Sequence, residues 1–154
     1  EAIWKCKTTS DKNIVCHPQA SVFFGADYRV WWHADMKSEA IPFPGLLLEN
    51  YWSSLSFGSR SLYADFPLAD IDLVLGFGFE DWHWNMETVA QGILHLSVPG
   101  TAHFIRLKSN GSLNQATASR KALVRRSSYA KRLLFEQMDI KRESRSIFSL
   151  RGDA

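Results

Sequence analysis

The 154 residues are 45% apolar and 22% charged, enough for one domain with its own core and too few for two of ordinary size. No apolar run approaches the ~20 residues of a membrane span, and the opening Glu-Ala-Ile-Trp-Lys-Cys lacks the basic start and apolar stretch of a signal peptide. The net charge of +2 covers an asymmetry: residues 1–100 hold six Lys/Arg and twelve Asp/Glu, residues 101–154 twelve and four, so the C-terminal part should meet an anion or dock on an acidic surface.

Taken in chain order, Ile3–Lys7, Ile14–His17, Ser21–Phe24 and Tyr28–His33 are short aromatic or β-branched runs separated by turn clusters, which predicts a β-rich region over 1–45. Cys6 and Cys16 flank the first turn. They read as reduced thiols of a cytoplasmic protein, with a hairpin disulfide as the alternative if the protein is secreted or periplasmic. Zinc has no support, because no second Cys/His pair stands at ligand spacing. Ile41-Pro42-Phe43-Pro44-Gly45 must be a turn. Leu46–Trp52 reads as a short helix leading into a strand, Ser54–Phe57.

Ile71–Phe77 is almost continuously apolar, the pattern of a central strand buried on both faces. Met86, Val89, Ile93 and Leu96 share one helical face, so a helix is expected over Asn85–Leu96, stopped by Pro99-Gly100. A strand follows at Ala102–Leu107. The last long element, Ala116–Asp139, sets Leu123, Ser127, Ala130, Leu134 and Met138 against Arg120, Lys121, Arg125, Arg126, Lys131 and Arg132, a basic amphipathic helix suited to RNA, a triphosphate or a protein partner. Residues 141–154 read as a flexible tail. The expected class is α/β (α+β): a single domain with a mixed β-sheet flanked by helices and an extra N-terminal β-hairpin region.

One constellation carries chemistry. Nucleotidyl transfer needs a grip on a triphosphate and a grip on the divalent metals that neutralise charge at the attacked phosphorus. A Gly-Ser pair opening a helix supplies the first: glycine lets backbone approach the phosphates and the helix N-terminus favours an anion. Asp-x-Asp on a strand supplies the second, since period-2 alternation points both carboxylates to one side. Here Gly58-Ser59-Arg60 is followed ten residues after the pair by Asp70-Ile71-Asp72-Leu73.

This pattern resembles the hydrophobic-Gly-Ser, spacer, Asp-x-Asp signature of the DNA polymerase beta-like nucleotidyltransferase superfamily, and within it the minimal nucleotidyltransferases. The resemblance covers about residues 46–140 and extends to a helix, strand, helix order after the Asp pair. It implies that Gly58, Ser59 and Arg60 hold the phosphates of ATP or another NTP. Asp70 and Asp72 would be the catalytic residues and the ligands of Mg²⁺, and the product a nucleotide monophosphate ester on a hydroxyl of RNA or protein. Where the superfamily carries a third carboxylate, the strand Ala102–Leu107 has His103 and Arg106. That departure implies a nucleotide-binding scaffold with turnover reduced or lost, with Glu80 or Asp81 as conceivable replacements. The alternative is a non-enzymatic protein-binding module of inhibitor or immunity type. The Trp-His clusters Val30–Asp35 and Asp81–Trp84 would then be core aromatics, or a stacking surface for a base or sugar.

Overall fold

The computed structural model describes residues 13–38, 43–108 and 113–133. Cys6, the expected strand Ile3–Lys7, the end of the expected basic helix and the tail 141–154 lie outside them. The architecture is α+β, as expected: a mixed three-stranded sheet, a two-stranded parallel sheet and a few helices.

Strand β1 (Ile14–Gly25) is central, antiparallel to β2 (Arg29–Trp32) on one edge and parallel to β4 (Leu94–Leu107) on the other. Its first four residues, Ile14 to His17, are buried on both faces, as a central strand of β-branched and aromatic residues requires. The two expected strands 14–17 and 21–24 are one element. Pro18, which has no N–H to give, is accommodated by a register shift between Pro18 and Ala20 opposite Pro99-Gly100. The irregularity is sealed by side chains: Gln19 N–H donates to Thr101 Oγ1 (3.2 Å), and Gly100 N–H donates to Gln19 Oε1 (2.8 Å). Pro99-Gly100 therefore sits inside a strand and does not end a helix.

The helix expected at Asn85–Leu96 is Glu80–Ala90 (α2, following α1 at Arg60–Asp65). Gly92, at φ +80°, ends it: Gly92 N–H donates to Val89 O (3.0 Å) and Ile93 N–H to Thr88 O (3.0 Å), the glycine-terminated cap that satisfies orphan carbonyls. Leu94, Leu96 and Val98 then alternate as strand residues.

The long basic helix is likewise interrupted. Its described part is a helix α3 (Leu113–Ser119), a two-residue strand β5 (Leu123–Val124) and helical residues 128–133. Lys121 takes φ +50°, and Ala122 N–H donates back to Thr117 O (3.0 Å). Thr117 and Ala122 are thereby buried against Gly78, where an added Cβ would lie 2.8 Å from Thr117 Cγ2. That close approach lets β5 pair in parallel with β3 (Phe77–Gly78).

Three tryptophans anchor loops to the core by their indole N–H groups. Trp52 donates to Ala34 O (2.8 Å), Trp82 to Leu46 O (2.8 Å) and Trp84 to Phe66 O (2.6 Å). Ser54–Phe57 forms no strand; Phe57 makes one isolated antiparallel bridge to Cys16, with N–H to O distances of 2.7 and 2.8 Å. No helix among the described residues is long and apolar enough to cross a membrane.

Candidate functional site

Ser59 does open a helix. Its side chain caps α1, accepting from Leu62 N–H at 3.2 Å, and lies 3.0 Å from Ser61 Oγ. Gly58 has a packing reason: a Cβ there would come within 3.2 Å of Leu62 Cδ2 and 3.6 Å of Ile14 O. Arg60 is exposed. With six residues, α1 ends after less than two turns and offers a ligand little of a helix dipole.

Asp70 and Asp72 do not stand on a strand, which corrects the expected central strand Ile71–Phe77. Asp72 and Phe77 exchange backbone hydrogen bonds (3.0 and 2.7 Å) across the tight turn Leu73–Gly76. Asp72 Oδ1 accepts from Val74 N–H (3.1 Å) and Leu75 N–H (2.9 Å), and Gly76 supplies the left-handed residue at φ +82°. This is the local side-chain turn for which Asp and Gly are selected, and it wins over the apolar run. Val74 is left 89% exposed. Asp70 is exposed, and its backbone carbonyl accepts from Arg125 Nε (3.3 Å) and Nη2 (3.2 Å). The Ser59 hydroxyl and the Asp72 carboxylate thus each serve their own backbone. His103 lies 3.4 Å from Ser53 Oγ, and Arg106 is exposed. Among the described residues, no group of three or more His, Cys, Asp or Glu side chains is placed to hold a metal ion.

The basic segment is partly consumed inside the molecule. Arg125 also lies over the Phe77 ring at 5.0 Å, Arg120 donates to Leu73 O (3.4 Å), and Arg132 donates to Ala90 O (2.6 Å) at the C-terminus of α2. The charge asymmetry is in this part an internal docking of arginines on carbonyls.

Cys16 is disulfide-bonded, which replaces the reduced thiol expected for it.

Two faces of the main sheet stand out instead. Odd-numbered β1 residues and their partners point into the core, where His17, His33 and His95 meet. The Thr88 hydroxyl lies 2.8 Å from Trp84 O and 2.9 Å from His95 Nε2. His95 Nδ1 and His17 Nε2 share a hydrogen bond at 2.9 Å. His17 Nδ1 is buried, and a backbone contact at Leu55 acts against the fall in the pKa of the ring. His33 donates from Nδ1 to Pro18 O (2.8 Å) and accepts from Ser21 Oγ (3.0 Å). Burial holds His95 down to a pKa of about 3. Desolvation, followed by its histidine neighbours, holds His17 well below the usual range, and desolvation lowers His33 and His103 too. The network is neutral and buried, closed by Trp52, which stacks on His17 at 5.3 Å and tilts against His95 at 4.4 Å.

The even-numbered face is the reverse. Val30, Val22 and Phe104 share one row across β2, β1 and β4, and Trp32, Ala20 and Ala102 the next. Trp32 and Phe104 are each 68% exposed, Tyr28 79%, and Val30 and Phe24 are exposed with them. This surface was legible only as an anomaly: Val30 to Trp32 and Val22 to Phe24 are apolar in both phases of the strand alternation, so one phase had to face water.

No family profile matches the chain, and neither a curated protein nor a solved structure matches it.

Proposed function

We propose that this chain is a non-enzymatic protein-binding module that presents the outer face of its three-stranded sheet to a partner protein. The observation that carries the reading is the aromatic and aliphatic surface of Tyr28, Val30, Trp32, Phe24 and Phe104, set on rigid strands and turned to solvent. The edge strand β2 extends that surface with backbone groups that a partner strand can pair. The local duties of Ser59 and Asp72 favour binding over nucleotidyl transfer. The disulfide at Cys16 supports an oxidising compartment, hence export.

The test is capture from extracts of the source cell with wild type and with Trp32→Asp plus Phe104→Asp. One protein should be recovered in near-equal molar amount by wild type and lost with the variant, whose melting midpoint should be unchanged. The purified pair should re-form a complex that protects β2 from hydrogen exchange. Equal recovery by both chains overturns the reading. So does a melting midpoint raised by ATP and Mg²⁺ in wild type and not in Asp70→Ala with Asp72→Ala, which would assign nucleotidyl transfer to the chain.

A further inference from the structure

On the inward side of the same sheet, away from the proposed partner surface, lies a cavity of about 240 Å³ that neither reading uses. It is walled by the rings of Phe23, Trp31 and Phe79 and closed by Glu80, Asp81 and Ser53. We propose that this cavity binds a small alkylammonium group, held between the three aromatic rings and the carboxylates of Glu80 and Asp81.

The chemistry of the lining selects the ligand. Aromatic faces attract cations through the ring quadrupole, most effectively for alkylated ammonium heads that are cheap to desolvate. Two adjacent carboxylates repel any anion, so phosphate and nucleotide are excluded from this cavity. Among the described residues no basic side chain forms an ion pair with either carboxylate. Asp81 Oδ1 accepts from the backbone Trp82 N–H at 2.8 Å. Burial and the neighbouring Glu80 raise the Asp81 pKa, the response of a carboxyl group set in a dry site without a counter-charge.

Phe23 already stacks with a cation outside the lining: the Arg29 guanidinium lies 4.6 Å from the centre of its ring. Phe79 is held at φ 58°, ψ 50°, a conformation an aromatic residue rarely adopts, and so reaches the cavity from the residue just before α2. The volume lies just under the ~300–1,000 Å³ of pockets for drug-sized ligands, right for an amine of a few carbons or for one cationic side chain.

Calorimetric titration of the whole chain with choline chloride and n-butylammonium chloride tests this, against 3,3-dimethylbutan-1-ol, which keeps the shape of choline without its charge. The cations should bind with Kd on the order of 1 mM and the neutral alcohol about tenfold more weakly or not at all. Glu80→Gln with Asp81→Asn should weaken choline binding about tenfold at an unchanged melting midpoint, and Trp32→Asp should leave it untouched. Should the double variant not fold, the indole N–H resonance absent from Trp31→Phe serves on wild type: it should move with choline and stay with the alcohol. A trimethyl-lysine peptide binding at least about tenfold tighter than choline assigns the site to a protein side chain, and equal affinities assign it to a free amine. Equal binding of choline and its neutral counterpart, or neither heat nor resonance shift up to about 50 mM, overturns the proposal.

Discussion

β1 takes part in two surfaces of opposite character. Its odd-numbered side chains, Val15, His17 and Ser21, sit in a core where even the polar atoms are hidden. Its even-numbered side chains run from the buried Ile14 and Cys16 out to Val22 and the exposed Phe24, so the same strand leaves the core as it lengthens. Polarity does not separate the two sides: the buried side carries histidines, serine and threonine, and the exposed side tryptophan, tyrosine and phenylalanine. A polar group can be buried if its hydrogen bonds close, and an apolar group can be exposed if nearby elements leave it uncovered. Stability should therefore reside on the histidine side and recognition on the aromatic side.

Trp52→Ala should break the first half of that contrast hardest. It removes a fully buried ring packed against two histidines and orphans Ala34 O, and should cost about 3–5 kcal/mol in guanidinium unfolding. An unchanged midpoint would mean that the histidine side is not the core of stability.

Acid should erode the same side. His95 titrates near 3 in the folded chain and near 6.5 when unfolded, so between these values the unfolded chain binds a proton that the folded chain refuses. Stability is then complete above about pH 6.5 and falls as pH drops toward 3, by up to about 1.4 kcal/mol per pH unit for each such histidine. His17 shifts in the same direction and should steepen the slope. His17→Gln keeps an amide that can hydrogen-bond His95 Nδ1 and removes one titrating base, so urea unfolding from pH 7 to 4.5 should lose about one proton's worth of slope. A slope equal to that of wild type would place the acid sensitivity elsewhere.

Ser59→Ala belongs to neither face and should lose about 1 kcal/mol, the ordinary value of a helix cap, equally with and without ATP and Mg²⁺. Smallest of all should be Trp32→Ala, within about 0.5 kcal/mol of wild type in thermal unfolding although it removes an indole that is 68% exposed. A loss of several kcal/mol there would show that the outer face is part of the core.

Much of the secondary structure could be read from local chemistry, and the errors have a common cause. Strands around Ile14, Ser21 and Tyr28, and a helix opened by Ser59, follow from β-branched runs and a capping serine. The departures arise where one residue outvoted a pattern. Asp72 and Gly76 turned an apolar run into an exposed turn, Gly92 ended a helix whose periodicity continued into Ile93 and Leu96, and Lys121 in a left-handed conformation cut a basic helix in two. The histidine core was illegible for a different reason. His17, His33 and His95 are distant in sequence and acquire a shared role only when β1 and β4 pair. The cavity at Phe23 and Asp81 needs the same pairing and also the entry of α2 across the sheet.

That pairing also has a consequence in time. The parallel ladder of β1 and β4 runs from Ile14 with Leu94 to Gly25 with Leu107, and Gln19 and Thr101, hydrogen-bonded at its irregularity, stand 82 positions apart. Closing so long a loop costs chain entropy before any core contact offsets it, and sheets rich in distant pairings fold slowly. On the ribosome, β1 can meet β2 at once but must wait for most of the chain to emerge before β4 covers its other edge. During that interval Ile14 to Phe24 form an apolar strand with an open side. A cell that makes this protein has to shelter that strand until Leu107 arrives.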